Sequence, residues 1–451
     1  MSNKRRRRRS PRLPEETVQV EIESLSAEGR GIAHVDDRIV FVDQALAGET
    51  VLFKYTKLSK NIAEGRAVEI LKASPDRVEA KCSAFEMCGG CSIQHMSTDM
   101  QLGLKQKTFL DHLEHIGKVK AENVLPPLTG PLWGSHHKAR LGVRYVHKKE
   151  RIMVGFRERG SSFITDTERC EILHPSVGGI ITELSECITR MEIKACVAQI
   201  EVAVGDNQTV LVFRHLEAMP ETDRALLCDL AAKHDLVIYL QAGSPDDLEA
   251  LYPAQPETLY YDIPNYNVRM EFQSSDFTQV NPELNRDMLD RAIGFLQLDE
   301  TDQVLDLFCG LGNFSLPMAR HCAQVTAVEG SQAMVVKGRD NAARNEIENI
   351  EFHMADLYSD EIAAAPWLKK KYNKILLDPP RSGADAVLRH LAKMEAERIV
   401  YVSCHPATLA RDAGVLVNEL GYRLTDAGVM DMFPHTQHVE SMAVFVKKIK
   451  A

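Results

Sequence analysis

Residues 303–329 constrain the fold more than any other stretch of the chain. Gln303-Val-Leu-Asp-Leu-Phe308 is an apolar run of strand length, and Cys309-Gly310-Leu311-Gly312-Asn313 is a glycine turn. Residues 314–322 read as a helix and Val325-Thr-Ala-Val-Glu329 as a second strand. Strand, turn, helix and strand make a βαβ unit, which belongs in a sheet covered by helices on both faces. The glycines let backbone come close to a ligand, and the Glu329 carboxylate can accept both hydroxyls of a ribose. A dinucleotide fingerprint has a third glycine that this turn lacks, which favours S-adenosylmethionine over NAD.

Later strands end in further polar groups. Ile350-Glu-Phe-His-Met354 leads to Asp356, where the amino group of an adenine would lie, and Lys374-Ile-Leu-Leu leads to Asp378-Pro-Pro-Arg381. One such acid is ordinarily a helix cap; three at the ends of successive strands indicate a site. Ile399-Val-Tyr-Val-Ser403 then runs into Cys404-His405-Pro406. A lone cysteine on a strand is usually core, but Ser403 and His405 make this strand end polar, at the edge where α/β sheets do their chemistry. Cys404 is therefore expected to be a covalent nucleophile toward a pyrimidine base. A thiolate added to C6 of uracil makes C5 enolate-like, so that C5 can attack a methyl sulfonium. A base must then remove the C5 proton. In Phe433-Pro-His-Thr-Gln-His-Val-Glu440-Ser441, Glu440 suits that role.

The 451-residue chain is long enough for two or three domains, and no apolar run reaches the ~18 residues of a membrane span. The basic start continues into Pro14-Glu15-Glu16 rather than an apolar stretch, so no secretory signal is expected. Ten cysteines without such a signal suit a reducing cytoplasm. The net charge of −10 conceals a basic start: Lys4, Arg5 to Arg9 and Arg12 give residues 1–12 a balance of +7. A polyanionic partner must meet local basic surface, because the remainder of the chain repels it.

Residues 16–73 alternate at strand period around Gly29, Gly31, Gly48 and Gly65, which suggests a small β-barrel of OB type. Residues 82–91 read Cys82-x5-Cys88-x2-Cys91, and three thiols so close are metal ligands more often than packing residues. Zinc and a [4Fe–4S] cluster both need a fourth ligand, and the spacing does not choose between them. Cys170, in the polar stretch Asp166-Thr-Glu-Arg-Cys170, is the best of Cys170, Cys187, Cys196 and Cys228. Residues 94–117 are expected to form a helix. Residues 136–159 are the second basic region, with eight Lys or Arg against Glu150 and Glu158. Alternation of Leu141, Val143 and Tyr145 makes part of it a strand, with Arg140 and Arg144 sharing a face suited to phosphate. Residues 160–275 carry no further chemical motif.

Asp306-Leu-Phe-Cys-Gly-Leu-Gly-Asn-Phe314, Asp378-Pro-Pro-Arg381, Ser403-Cys404 and His438-Val-Glu440 resemble the RNA uracil-C5 methyltransferase family. Gly29-Arg-Gly-Ile-Ala33 is similar to the TRAM domain, an RNA-binding barrel. With the barrel and the cysteine motif, the resemblance runs almost end to end to the branch acting on uracil 1939 of 23S rRNA. It implies a Rossmann-like S-adenosylmethionine methyltransferase domain (94–130 and 276–451), a TRAM barrel (15–73), a central α+β domain (74–93 and 131–275) and a basic tail (1–14). It implies Cys404 as nucleophile and Glu440 as base. Cofactor contacts would come from Gln279, Phe308, Asn313, Glu329, Asp356 and Asp378, and a [4Fe–4S] cluster would sit on Cys82, Cys88, Cys91 and Cys170. A cytoplasmic monomer acting on ribosomal RNA, with no DNA or membrane partner, is expected. Two residues depart from the family pattern: His405 stands where asparagine is usual, and Gln437 where glycine is. Competing readings are the same chemistry on tRNA uracil 54, disfavoured by the cysteine motif, and DNA cytosine methylation, disfavoured by the lack of a Pro-Cys context. A non-enzymatic RNA-binding metal protein would have no use for Cys404.

Overall fold

The computed structural model describes residues 13–244 and 247–448, so the basic start, Lys4 to Arg9 and Arg12, lies outside the described residues. The chain divides into two compact units. One holds the described residues up to Lys81 together with 91–105 and 435–437; the other holds 82–90, 106–434 and those from His438 onward.

The smaller unit carries the barrel strands Val18–Glu21, Ser24–Leu25, Gly31–Val35, Arg38–Asp43, Thr50–Leu58 and Ile62–Lys72, joined in one sheet. Their inward positions, among them Ala33, Val40, Val42, Val51, Phe53 and Ala63, form its core. The alternation anticipated four of these strands; Gly31, read as lying between strands, opens one. A Cβ there would fall 2.9 Å from Ile22 and 3.1 Å from Ala45, so close packing explains the glycine. Glu49 is fully buried and accepts from the backbone N–H groups of Leu46 and Ser74 and from the Arg77 guanidinium at 2.5 and 2.7 Å. Burial pushes this carboxyl up, but the Arg77 pair and the two N–H groups outweigh it and hold the pKa below its ordinary value.

In the larger unit the catalytic sheet has eight strands in the order Ile350–Met354, Gln324–Glu329, Gln303–Leu307, Lys374–Leu377, Arg398–Ser403, Glu440–Lys447, Tyr422–Met430 and Asn123–Val124. The first five are parallel, and Glu440–Lys447 runs antiparallel between its neighbours. Burial on both faces accounts for the continuous apolar runs; in Lys374–Leu377 and Ile399–Val402 every residue is buried. Chain order reverses between Gln303–Leu307 and Lys374–Leu377, and ligands of open α/β sheets bind in the crevice beyond such a switch point.

The same unit holds a six-stranded mixed sheet, ordered Leu248–Tyr252, Leu236–Gln241, Thr209–His215, Val197–Val204, Lys138–Val146 and Arg151–Gly155. Helices Ile181–Arg190 and Glu221–His234 contribute buried residues to the core beneath it. The expected 94–117 helix runs from Thr98 to His112 and widens into a π turn to Gly117. Among the described residues no helix is long and apolar enough to cross a membrane.

Candidate active site

The cofactor turn is built where the Gln303–Leu307 strand stops. Phe308, Gly310 and Gly312 all have positive φ (66°, 55° and 94°). At Gly312 a Cβ would also stand 2.4 Å from Leu316, so only glycine fits; at Gly310 a Cβ would meet nothing within 4 Å, which leaves room above the turn. The Glu329 carboxylate accepts from Gly310 N–H at 3.1 Å and from Ser331 N–H at 2.9 Å. It thus ties the turn to the start of helix Gln332–Arg344, with lone pairs to spare for a ribose.

Asn313 is more committed than the sequence suggested. Its Oδ1 accepts from Tyr261 Oη (2.9 Å) and Asn285 Nδ2 (3.1 Å), and its Nδ2 donates to Asn285 Oδ1 (2.9 Å). Asn285 lies on helix Pro282–Leu296, capped by Asn281, so this amide pair docks the Gln279 segment against the glycine turn. Upstream, Lys337 holds Gln273 and Asp276. Asp356 is exposed and accepts from Tyr358 N–H. Tyr358, which the sequence reading missed, sets its ring 5.9 Å from that of Phe308 and donates to Gly383 O at 2.8 Å. The two rings make an aromatic wall beside Asp356. Asp306, quoted only as part of a motif, is fully buried; it accepts from Ser315 Oγ, while its Oδ1 has no partner. Burial pushes it up to about 8, and Asp378 and Glu329 add to that.

Cys404 and Glu440, the expected nucleophile and base, are related through strand register. Arg398–Ser403 pairs antiparallel with Glu440–Lys447, from Arg398 opposite Val446 to Ser403 opposite Ser441. One further step along that register sets Cys404 opposite Glu440. Ser441 Oγ donates to Ser403 O at 3.1 Å, and Ser403 Oγ accepts from His405 N–H at 3.1 Å, so both strand ends are pinned. Burial pushes the Cys404 thiol up to about 11, with Glu440 and Asp378 adding to the shift and Arg381 opposing it. Glu440 is buried and raised well above the ordinary carboxylate range, by burial first and by Asp378 second. Asp378 keeps an open edge, yet its packing pushes it up to about 7.

The two departures from the family pattern both have local explanations. His405 caps helix Pro406–Asn418, its Nδ1 accepting from Thr408 N–H at 3.4 Å as an asparagine oxygen would. Burial lowers its pKa and Arg381 and Arg411 reinforce this, which keeps the ring neutral for that bond. At 435–437 it is His435, not Gln437, that takes positive φ, so position 437 does not require glycine.

The cysteine motif is less assembled. All ten cysteines are free thiols. Among the described residues no group of three or more Cys, His, Asp or Glu side chains is gathered as a metal site. The thiols of Cys82, Cys88 and Cys170 nevertheless lie within electrostatic reach of one another, and each is met by backbone N–H groups: Ala84 and Phe85 at Cys82, Gly90 at Cys88, and Ile172 and Leu173 at Cys170. Cys91 is buried.

A sheet with five parallel strands and its crevice at the switch point, a glycine turn and an acid that closes the next strand and holds that turn define a Rossmann-like methyltransferase. Residues 256–449 match the tRNA (Uracil-5-)-methyltransferase family and residues 11–68 the TRAM domain. The chain is 50% identical to the 23S rRNA (uracil(1939)-C(5))-methyltransferase of Methylococcus capsulatus, over 98% of this chain and 99% of that one. It is 46% identical to the protein of the same name from Legionella pneumophila, over 98% and 100%. The chain belongs to the 23S rRNA (uracil(1939)-C(5))-methyltransferase family. In fold it is similar to the Pyrococcus abyssi tRNA (uracil-54, C5)-methyltransferase, solved with S-adenosyl-L-homocysteine, with a TM-score of 0.73 at 22% identity covering 95% and 100% of the two chains.

Proposed function

We propose that the protein methylates C5 of uracil 1939 in 23S rRNA, with S-adenosylmethionine as donor, through a covalent bond from Cys404 to C6. The observation that carries this reading is the register that sets Glu440 opposite Cys404. When bound, S-adenosylmethionine supplies a methyl group activated by a sulfonium. The open space above Gly310 and the Glu329 carboxylate suit its ribose; Asp356 with the Phe308–Tyr358 wall suits its adenine; Asp378 and Gln279 suit the methionine end. Asn313 acts mainly by fixing the turn.

Cys404 as thiolate adds to uracil C6, and the C5–C6 electron pair moves to C5 and the O4 enolate. C5 takes the methyl group as its bond to the donor sulfur breaks, the electron pair returning to sulfur as a neutral thioether. Glu440, as carboxylate, removes the C5 proton; the electrons of that bond re-form C5–C6 and expel the Cys404 thiolate. The bulk of the chain supplies the surroundings: a TRAM barrel at 15–73, a central domain at 74–93 and 131–275, and a catalytic domain at 94–130 and 276–451, in a cytoplasmic monomer. Cys82, Cys88, Cys91 and Cys170 would hold a [4Fe–4S] cluster, a reading supported by the N–H donors around three of the thiols, which suit thiolate ligands. Brown colour and visible absorbance in anaerobically purified protein, with iron and sulfide in equal amounts, test it; zinc in place of iron overturns it. Mass-spectrometric mapping of 5-methyluridine in 23S rRNA from cells lacking the gene tests the function: loss at position 1939 is expected, and an unchanged position 1939 contradicts it.

A further inference from the structure

Outside the active site, the strongest unassigned feature is a basic groove on the exposed face of the six-stranded sheet. It encloses about 920 Å3, at the upper end of the ~300–1,000 Å3 of ligand sites. Its floor includes Gly142 and Gly155, which pair directly across strands Lys138–Val146 and Arg151–Gly155, and Ile164, packed over Gly142 where a Cβ would stand 2.4 Å from it. Its walls carry Arg140 and Arg144 from one strand and Arg157 and Arg159 from the loop beyond the other.

Much of the basic character of residues 136–159 is already neutralised. Lys149 and Arg151 pair with Asp166, and Arg140 with Glu201 at 3.0 Å. Arg159 is a structural residue here: it donates to Cys88 O (2.9 Å) and Phe85 O (3.1 Å) and lies over the Phe85 ring. Two arginines remain. Arg144 and Arg157 are exposed, and among the described residues neither guanidinium pairs with a carboxylate. The one acid in the groove, Glu158, accepts from Ser161 Oγ at 3.1 Å. The 158–163 turn, closed by Glu158 N–H to Phe163 O at 2.9 Å, then presents Phe163 at its end, 61% exposed. Phe163 follows Ser162 and precedes Ile164, both of which line the groove, and a large aromatic ring left in water there has no packing explanation.

We propose that this groove binds single-stranded RNA, with Arg144 and Arg157 on successive phosphates and a base stacked on Phe163; the proposal rests on the RNA methyltransferase reading. Phosphate charge answers the guanidinium pair on an otherwise acidic protein, and a π-face is what every unpaired base offers. Held here, the strand leading to the target uracil is kept unfolded.

The test uses the full-length protein and a labelled single-stranded fragment of 23S rRNA around uracil 1939, with affinity measured over a salt series. Arg144→Ala/Arg157→Ala is expected to weaken binding at least tenfold. It should also reduce the slope of log K against log salt by roughly 1.4, about 0.7 for each lost phosphate contact. Arg144→Lys/Arg157→Lys, which keeps the charge, should keep most of the slope and shows that the fold is intact. Phe163→Ala is expected to weaken binding about tenfold with the slope unchanged. Wild-type affinity and slope in the double alanine variant, or equal affinity for duplex RNA, overturns the groove. Because binding is read without turnover, the two readings fail separately. A protein that binds RNA through these residues but forms no 5-methyluridine overturns the methylation reading alone, whereas a methylating enzyme whose RNA affinity ignores them overturns the groove alone.

Discussion

The cofactor turn and the Cys404 end lie beyond two strands of one sheet with only Lys374–Leu377 between them, yet they manage charge in opposite ways. At the turn, the Glu329 carboxylate is met by two backbone N–H groups, and Asn313 is locked in a closed amide pair. Binding there relies on shape and on charge already compensated. At the Cys404 end, burial raises Cys404, Glu440 and Asp378 above their ordinary values; Asp378 adds to the shift at Glu440, and both acids add to it at the thiol, where Arg381 opposes. A binding surface can be satisfied in advance. A reacting site keeps groups that are out of balance until substrate arrives.

The comparison can be broken most sharply at the thiol. Cys404→Ala should reduce methyl transfer to the detection limit while S-adenosylmethionine still binds, as isothermal titration would show; retained turnover would end the covalent mechanism. Next in size, kcat/KM should climb steeply with pH. The thiol, pushed up to about 11, gains nucleophilic thiolate with every rise. About tenfold per pH unit is expected through neutrality, and a flat profile would contradict the raised value. Glu329→Gln acts on the other side of the comparison: it should weaken cofactor binding by roughly 10- to 100-fold, the loss of ~1.5–3 kcal/mol from hydrogen bonds to a charged group, with thiol alkylation rates unchanged. His405→Asn should leave activity within about threefold, because the cap is preserved, whereas His405→Ala should cost about 1 kcal/mol of stability in urea unfolding.

Buried Asp306 sharpens the contrast through stability. Its folded pKa, about 8, stands above the ordinary 3.8, so its contribution to stability is fully present below pH 3.8 and is lost as pH rises through 8. Glu49 has the opposite sign. Its folded pKa is lowered by Arg77 and backbone N–H groups against burial, so its contribution is present above its ordinary 4.5 and fades as pH falls through the folded value. Asp306→Asn should therefore flatten the alkaline side of a stability profile, and Arg77→Ala the acid side.

The sequence exposed the cofactor turn well because its chemistry is local. Gly310, Gly312 and Glu329 lie within one βαβ unit, and the φ values and the Leu316 contact depend on residues next to them. Cys404 was legible as a polar strand end. What made Glu440 its partner was not, since that depends on antiparallel pairing between strands far apart in sequence. Ser441, Tyr358, Asn285 and Tyr261 were missed for the same reason: each is an ordinary residue until the fold brings it against Ser403, Phe308 or Asn313. His405 was recognised as unusual, and its role as a cap follows from the backbone that the helix presents to it.

The most direct test of the central claim, that Glu440 stands opposite Cys404 to release a covalent adduct, is to mix Glu440→Gln with 23S rRNA and S-adenosylmethionine and run the product on a denaturing gel. The account predicts a slowly migrating protein–RNA band that carries the transferred methyl group and is absent from Cys404→Ala. Normal turnover by Glu440→Gln with no such band would contradict it.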